Sequence, residues 1–179
     1  MNMDSFNWIR LAEQQWLDNA RSGYIVVQGE ADDAYCLTVR SLVDRWLALP
    51  MSTPLEIVVN VLECESGGPS SFYLGQAIER LGCRTEVRYS AGSAGLFIFM
   101  GGAERLAHPG ARFTFHGNLY RWMKSGASDE ERAEWFTSRT NKPYDFWFEQ
   151  CKIDGVLTFG VEEALEWGVI TGVIQEESR

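Results

Sequence analysis

A serine set among very small residues is the first feature of this sequence that is suited to chemistry. Ser93 stands in segment 89–100, YSAGSAGLFIFM, where an apolar helix-like run follows at once. Small neighbours let a strand turn sharply into a helix, and they let a substrate carbonyl approach the hydroxyl. The N–H groups after such a turn lack acceptors within the helix, so they can face a developing negative charge. A glycine-rich packing turn beneath a buried helix would give the same pattern.

A serine nucleophile needs a base, and the sequence offers two histidines. His116 ends the alternating segment 111–116, ARFTFH, and a neutral imidazole at a strand end can accept a proton from a hydroxyl. His108 precedes Pro-Gly in a polar turn, where we expect a solvated side chain. The alternative for His116 is an ordinary half-buried histidine.

Backbone N–H groups of Gly68 and Ala94 are the candidate donors to a tetrahedral oxyanion. Glycine at positions 67 and 68 allows the backbone to approach a ligand, although a tight turn also uses Gly-Gly. The Gly-Gly pair, Ser93 and His116 each fall just after a predicted strand. Because the carboxyl ends of parallel strands meet at one edge of a sheet, the pattern predicts an acyl-transfer site there.

Strand and helix patterns alternate along the first two thirds of the chain. Strand patterns cover 24–29, 55–61, 84–88 and 111–116, and helix patterns cover 33–49, 72–81 and 94–100. The segment 62–71 is predicted as a loop. This alternation predicts βαβ units and therefore an α/β fold with a mostly parallel sheet covered by helices. A short helix over 161–167 and a last strand over 169–174 are also predicted.

The segment after His116 is predicted to become helical and is rich in aromatic residues. Ser128 and Glu131 have the spacing of a capping box, which begins a helix to about residue 139, and Pro143 begins a second helix. The aromatic residues are Trp122, Trp135, Phe136, Tyr144, Phe146, Trp147 and Phe148. Such density is typical of an interface between subunits, but a helical pair packed on its own domain fits equally well.

Length and composition exclude several classes of protein. A chain of 179 residues, 45% of them hydrophobic, predicts one domain over 1–179, and an amphipathic pattern predicts a helix within about 1–20. The net charge of −9 without a basic stripe argues against binding to nucleic acid or an anionic membrane. Four cysteines without paired spacing and two histidines predict no metal site, and no cofactor is expected. With no leader pattern and no membrane-length apolar run, we expect a soluble, cytoplasmic protein.

The order of these motifs resembles the proteolytic subunit of the Clp protease. The matching segments are GEADD at 29–33, SGG at 66–68, SAGSAG at 90–95, FTFH at 113–116 and EEALEWGVI at 162–170. The resemblance covers 24–174 and implies the crotonase-like α/β spiral with a helical handle at about 118–154. It also implies that Ser93 is the nucleophile and His116 the base, with Gly68 and Ala94 donating to the oxyanion.

By this resemblance the chain would be a serine endopeptidase subunit of a self-compartmentalised protease. Its partners would be other copies of itself in stacked heptameric rings, which make a tetradecamer enclosing a degradation chamber. Its substrates would be peptides or unfolded proteins, fed by an ATP-driven unfoldase.

The third member of the triad is left open by the sequence. Counting back from the motif at 162–164 places the family's aspartate on Lys152, and counting forward from Thr140 places it on Gln150. Asp154 is the favoured acid because a glycine follows it in a loop, and Glu149 is the other nearby acid. A solvated Asp-Gly turn is the alternative for Asp154.

Two further functions are compatible with the sequence. Without a matched aspartate, the chain could be a catalytically weak or inactive subunit with a structural role in a mixed ring. A crotonase-type enzyme that acts on acyl-CoA thioesters has the same fold and also uses paired backbone N–H donors, but it needs no serine–histidine pair.

Overall fold

A computed structural model describes residues 24–48, 58–67, 70–117, 127–153 and 155–175 of the chain. The predicted helix at about 1–20, the candidate site residues Gly68 and Asp154, and Trp122 lie outside these ranges. The described residues confirm the predicted fold class, because they form a mostly parallel sheet packed with helices.

Seven strands and six helices make up the described part of the chain. The strands are β1 (Tyr24–Ala31), β2 (Val58–Gly67), β3 (Arg84–Gly92), β4 (Glu104–Ala107), β5 (Arg112–His116), β6 (Val156–Phe159) and β7 (Gly172–Val173). The helices are α1 (Asp33–Leu47), α2 (Ser70–Leu81), α3 (Ala94–Met100), α4 (Asp129–Arg139), α5 (Tyr144–Lys152) and α6 (Val161–Glu166).

The sheet forks at its central strand, β3. The strand order β1-β2-β3-β4-β7 is parallel throughout, and β5 joins β3 separately, also in parallel. The first half of β3 pairs with β4, up to Val87 opposite Ala107. The second half pairs with β5, ending with Gly92 opposite Thr114. β6 then runs antiparallel to β5. The fork therefore directs the carboxyl end of β3 toward the carboxyl end of β5.

The structure corrects the predicted boundaries of the inner strands. β2 continues to Gly67, although the sequence predicted a loop from residue 62 onward, and β3 continues to Gly92, beyond the predicted end at residue 88. The polar composition of 62–67 is tolerated because neighbouring strands supply backbone partners: β1 pairs with β2 as far as Gly67, and β3 pairs with it as far as Cys64. The register of β2 shifts between Val61 and Glu63 relative to both neighbouring strands, so an irregularity in the ladder accommodates the extra residue there. β4 and β6, each of four residues, were not predicted.

Helix α3 is the centre of the hydrophobic core. All seven of its residues are buried, from Ala94 to Met100. Gly75 of α2 lets the two helices touch, since a Cβ there would lie 2.4 Å from the carbonyl oxygen of Phe97. Because α3 is apolar on all sides and buried against the parallel sheet, its position is fixed. The turn that joins β3 to α3 is therefore fixed as well.

The aromatic residues of α4 and α5 belong mainly to the same core. Phe136 and Trp147 are fully buried, with ring centroids 4.6 Å apart, and Phe136 also lies 5.1 Å from Phe115. Trp135 is 8% exposed and contacts Phe72. These contacts favour the interpretation of a helical pair packed on its own domain over that of aromatic residues reserved for a subunit interface.

A buried arginine connects three parts of the chain behind this core. Arg105 of β4 donates hydrogen bonds to the carbonyls of Val169 at 2.8 Å, Gly168 and Arg139 at 2.9 Å and Gly102 at 3.0 Å. Burial, together with the charge of Arg139, lowers the pKa of Arg105 to about 10, so it stays protonated at neutral pH. Four backbone carbonyl groups thus replace the water that would otherwise solvate the guanidinium of Arg105.

Two buried thiols should make stability depend on alkaline pH. Burial raises the pKa of Cys83 and of Cys151 from 9.0 to about 11. Each folded-state pKa exceeds the unfolded value. The contribution of each thiol to the free energy of unfolding is therefore complete below pH 9 and is lost as the pH rises toward 11. We expect the free energy of unfolding to fall across this window by up to about 1.4 kcal/mol per pH unit and thiol.

Urea unfolding at several pH values checks this expectation. The double variant Cys83→Ala, Cys151→Ala should be less stable at pH 8, because it loses buried atoms, but its stability should fall less steeply above pH 9. Equal slopes for the variant and the parent chain would contradict the assignment of this pH dependence to the thiols.

Candidate active site

Ser93 occupies the tight turn between β3 and α3. It is the only described non-glycine residue with a positive φ, at φ 50° and ψ −112°, and it is 4% exposed. Its N–H donates to the carbonyl of Thr114 at 2.9 Å, and its carbonyl accepts from the N–H of Phe97 at 3.3 Å. The turn is therefore held by β5 on one side and by the first turn of α3 on the other. This is the strand-to-helix turn that the sequence predicted.

Ala94 is the first residue of α3 and follows Ser93 directly. As the first residue of a helix, it has a backbone N–H without an acceptor inside that helix. A helix N-terminus also carries a partial positive charge. The N–H of Ala94 is thus available, at the start of a helix, to donate a hydrogen bond to an oxyanion.

His116 is the last residue of β5 and is partly buried. Gly92 of β3 lies opposite Thr114 of β5 in a parallel ladder, where adjacent strands are about 4.8 Å apart. One residue beyond Gly92 is Ser93, and two residues beyond Thr114 is His116, so both reach the same carboxyl edge on neighbouring strands. Neither the hydroxyl of Ser93 nor the imidazole of His116 forms a hydrogen bond to another described residue. The structure thus brings the pair to one edge without joining the two side chains.

The second histidine lies elsewhere. His108 is in the turn between β4 and β5, where its N–H donates to the carbonyl of Val87 at 3.0 Å and its carbonyl accepts from Ala111 at 2.9 Å. The sequence predicted a solvated residue, but His108 is partly buried. His108 therefore acts through its backbone in shaping the turn.

The strand end after His116 packs against the segment that contains position 154. His116 lies opposite Val156 in the antiparallel β5–β6 pair, and the N–H of Gly117 donates to the carbonyl of Gly155 at 3.4 Å. A Cβ on Gly117 would lie 2.5 Å from the carbonyl oxygen of Ile153. The described residues on both sides of Asp154 therefore adjoin the end of β5, while Asp154 itself is outside the described residues.

Glu149, the other acid considered from the sequence, faces another partner. Its Oε1 lies 3.6 Å from Nζ of Lys152, and its side chain is 64% exposed. Nζ of Lys152 also lies 3.6 Å from the ring centroid of Phe148. Glu149 and Lys152 thus form a surface group on α5.

A buried arginine that sequence reasoning missed supports the end of β5. Arg132 of α4 is 1% exposed, donates from Nη1 to the carbonyl of Gly117 at 3.0 Å, and forms an ion pair with Asp129. Because Gly117 directly follows His116, Arg132 holds the backbone from which the imidazole projects. The Asp129-x-x-Arg132 spacing on one helix face was the available signal, but its target could not be read from it.

Across the described ranges, no cluster of three or more histidine, cysteine, aspartate or glutamate side chains could hold a metal ion. None of the described helices is both long enough and apolar enough to cross a membrane.

Comparison with known proteins places this geometry in a structural class. No protein-family model and no curated protein matches the chain. Among solved structures, a mutant of ClpP1 from Listeria monocytogenes superimposes with a TM-score of 0.61 at 15% sequence identity, covering 87% of this chain and 93% of that one. The chain therefore has a ClpP-like α/β fold. At 15% identity the likeness establishes the fold, and the roles of individual residues rest on their chemistry.

Proposed function

We propose that this protein is a serine endopeptidase subunit of the Clp type, with Ser93 as nucleophile and His116 as base. One observation carries the proposal: a buried serine with φ 50° begins a buried helix, beside a parallel strand that ends in histidine. An L-residue with a side chain occupies this backbone region at a cost, and such strain is concentrated at functional sites. The ClpP-like fold is a second argument in favour of peptide hydrolysis, by analogy between folds.

In the proposed reaction, the hydroxyl oxygen of Ser93 attacks the peptide carbonyl while His116 accepts the hydroxyl proton. The backbone N–H groups of Gly68 and Ala94 stabilise the tetrahedral oxyanion. His116 then gives its proton to the leaving amine, which leaves an acyl group on Ser93. A water molecule, deprotonated by His116, hydrolyses this ester and restores the serine. Closure of the Ser93–His116 hydrogen bond would occur when substrate binds.

Asp154 is our candidate for the acid that orients His116. Its support is the packing of its flanking residues, Ile153 and Gly155, against Gly117. Glu149 is less suitable because it already pairs with Lys152 on the surface of α5. An orienting acid holds the imidazole in the correct tautomer and stabilises the imidazolium that forms during the reaction.

The proposed assembly is a homo-oligomer of stacked heptameric rings that encloses the sites and admits peptides or unfolded proteins. In this arrangement the whole chain is one domain, with a helix at about 1–20 and a handle at about 118–154 that includes α4 and α5. An ATP-dependent unfoldase would supply the substrates, and no cofactor or metal is needed. The support is the fold shared with a ClpP structure.

Covalent labelling tests the proposed nucleophile. We expect a fluorophosphonate probe to add one phosphonyl group to the folded, assembled protein, and peptide mass spectrometry to place it on Ser93. Ser90 provides a matched control, because it lies on β3, three residues before Ser93, and its hydroxyl oxygen is buried. Labelling should persist in Ser90→Ala and disappear in Ser93→Ala. Absence of labelling in the assembled parent protein would contradict the proposal.

A catalytically inactive structural subunit is the second candidate function. The observation in its favour is that Ser93 and His116 are not hydrogen-bonded to each other in the described structure. Hydrolysis of a fluorogenic peptide by the purified protein, lost in Ser93→Ala, would exclude this candidate. Ring assembly without labelling or hydrolysis would favour it.

A further inference from the structure

We propose that Arg139 is a positioning residue that holds α3 by its carboxyl end, an inference that rests on the proposed function of Ser93 and Ala94 at the other end. Arg139 is the last residue of α4. Its Nε donates to the carbonyl of Met100 at 2.6 Å, and its Nη2 donates to the carbonyl of Gly102 at 2.6 Å. One side chain of a separate helix thus binds the end of the helix that begins beside the candidate nucleophile.

Side chains from three neighbouring elements bind the carboxyl end of α3. The hydroxyl of Thr85 on β3 donates to the carbonyl of Phe99 at 2.7 Å. Arg105 on β4 donates to the carbonyl of Gly102 at 3.0 Å. With Arg139 included, every carbonyl from position 99 to position 102 accepts a hydrogen bond from a side chain. The last carbonyls of a helix lack donors within it, so these contacts satisfy groups that the helix itself leaves unpaired.

The amino end of α3 lacks a cap of this kind. Ser93 precedes the helix without forming a side-chain cap, and the N–H groups that follow must stay available for the proposed oxyanion. Apolar packing holds α3 against the sheet but has no direction, whereas hydrogen bonds at the carboxyl end define its position along its own axis. A helix of seven residues carries that position over about 10 Å to the turn at Ser93.

Glu79 of α2 orients the guanidinium of Arg139. Its Oε1 forms a hydrogen-bonded ion pair with Nη1 of Arg139, and its Oε2 accepts from Nε1 of Trp135 at 2.7 Å. The side chain of Arg139 is only 10% exposed, and its guanidinium lies 5.7 Å from the centroid of the Trp135 ring. Because the guanidinium is planar and rigid, a carboxylate that binds one nitrogen sets the direction of the two nitrogens that bind α3.

Two variants of Arg139 separate geometry from charge. Arg139→Lys keeps the positive charge but loses the planar group with several donors, whereas Arg139→Met removes both. Val43→Ala is the matched control, because it removes buried atoms from α1, at a side chain that is 0% exposed, and leaves the donors to α3 in place. It shows what a loss of core packing alone does to the same measurements.

Hydrogen exchange followed by mass spectrometry compares the peptide that spans 93–100, in α3, with the peptide that spans 34–47, in α1. In Arg139→Met we expect exchange to accelerate more in the α3 peptide than in the α1 peptide, because local opening follows the loss of local contacts. Arg139→Lys should show the same order with a smaller difference. Val43→Ala should show the reverse order.

Hydrolysis of a fluorogenic peptide measures the effect on the proposed reaction. We expect kcat to fall about 10- to 100-fold in Arg139→Met, because misplacement of a reacting group by about 1 Å can cost about a hundredfold. KM should stay within about threefold, since Arg139 binds the far end of the helix, and Arg139→Lys should be intermediate. In Val43→Ala, kcat should stay within about twofold of the parent value.

A double-mutant cycle tests whether Glu79 acts through Arg139. Glu79→Gln removes the charge of the ion pair but keeps an oxygen for the N–H of Trp135. We expect Glu79→Gln to lower kcat less than Arg139→Met does, and to cause no further loss when the two changes are combined. Losses that multiply would contradict the orienting role of Glu79.

The two readouts distinguish failure of this inference from failure of the proposed function. Equal acceleration of exchange in both peptides of Arg139→Met, or of Arg139→Lys if the methionine variant does not fold, would overturn the anchoring role whatever the protein catalyses. Selective acceleration in α3 with unchanged kcat would overturn its role in catalysis. A comparable loss of kcat in Val43→Ala would do the same, because reduced core packing would then be the cause. Lack of labelling at Ser93 in the parent protein would instead reject the peptidase proposal, and the exchange data would still decide the anchoring role.

Discussion

Replacing Ser93 by glycine is expected to abolish peptide hydrolysis and to raise the free energy of unfolding by about 1 kcal/mol. The activity is lost because the attacking hydroxyl is gone. The stability rises because φ 50° and ψ −112° suit glycine, which has no Cβ to resist them. The hydroxyl itself contributes little to folding, since it forms no hydrogen bond to another described residue. A site residue that opposes the stability of its own fold is typical of a functional position.

Ser93→Ala is the control that separates the two effects. It removes the hydroxyl but keeps the Cβ, so hydrolysis should fall by at least about a thousandfold without the gain in stability. Thermal or urea unfolding of the three proteins gives the order of stability, and a fluorogenic peptide gives the rates. If the glycine variant proved less stable than the alanine variant, the backbone strain assigned to Ser93 would be wrong.

Replacing Arg132 by methionine should destabilise the protein by about 3 kcal/mol. The guanidinium is 1% exposed, and its removal leaves the Gly117 carbonyl and the Asp129 carboxylate without this donor. A polar group that is left unsatisfied in a protein interior keeps its desolvation penalty. Because Gly117 follows His116, we also expect hydrolysis to decrease in any fraction that remains folded.

Arg80 offers a matched control for this substitution. It forms a hydrogen-bonded ion pair with Asp44 at 2.8 Å, but the two side chains are 57% and 45% exposed. Exposed pairs contribute little, so Arg80→Met should cost less than about 1 kcal/mol. Urea unfolding of both variants compares the two sites directly. Similar losses would mean that burial of Arg132 does not determine its contribution.

Local sequence signals predicted the elements that are independent of distant partners. The capping box of α4 is present, with the N–H of Glu131 donating to Oγ of Ser128 at 3.1 Å and the N–H of Ser128 donating to Glu131 at 2.7 Å. The buried helix after Ser93 was predicted from its largely apolar composition. The extension of β2 over 62–67 was not predicted, because its polar residues are stabilised by pairing with β1 and, as far as Cys64, with β3.

The candidate site was predictable only in part for the same reason. Small residues around Ser93 and a histidine at a strand end are visible in the sequence, and the parallel order of strands suggests that they meet. Arg132 was missed because its partner Gly117 lies 15 residues away, and the contact ends on a backbone atom. Backbone partners leave no trace in residue types, so only the folded chain identifies them.

The buried cation of β4 has a consequence for folding during synthesis on the ribosome. Arg105 emerges long before the carbonyls of Gly168 and Val169, which lie 63 and 64 residues further along the chain. Until those residues leave the exit tunnel, the guanidinium lacks half of its acceptors and β4 lacks its neighbour β7. Until then β4 presents unpaired backbone groups along one side, so completion of this edge of the sheet depends on residues that are synthesised well after β4.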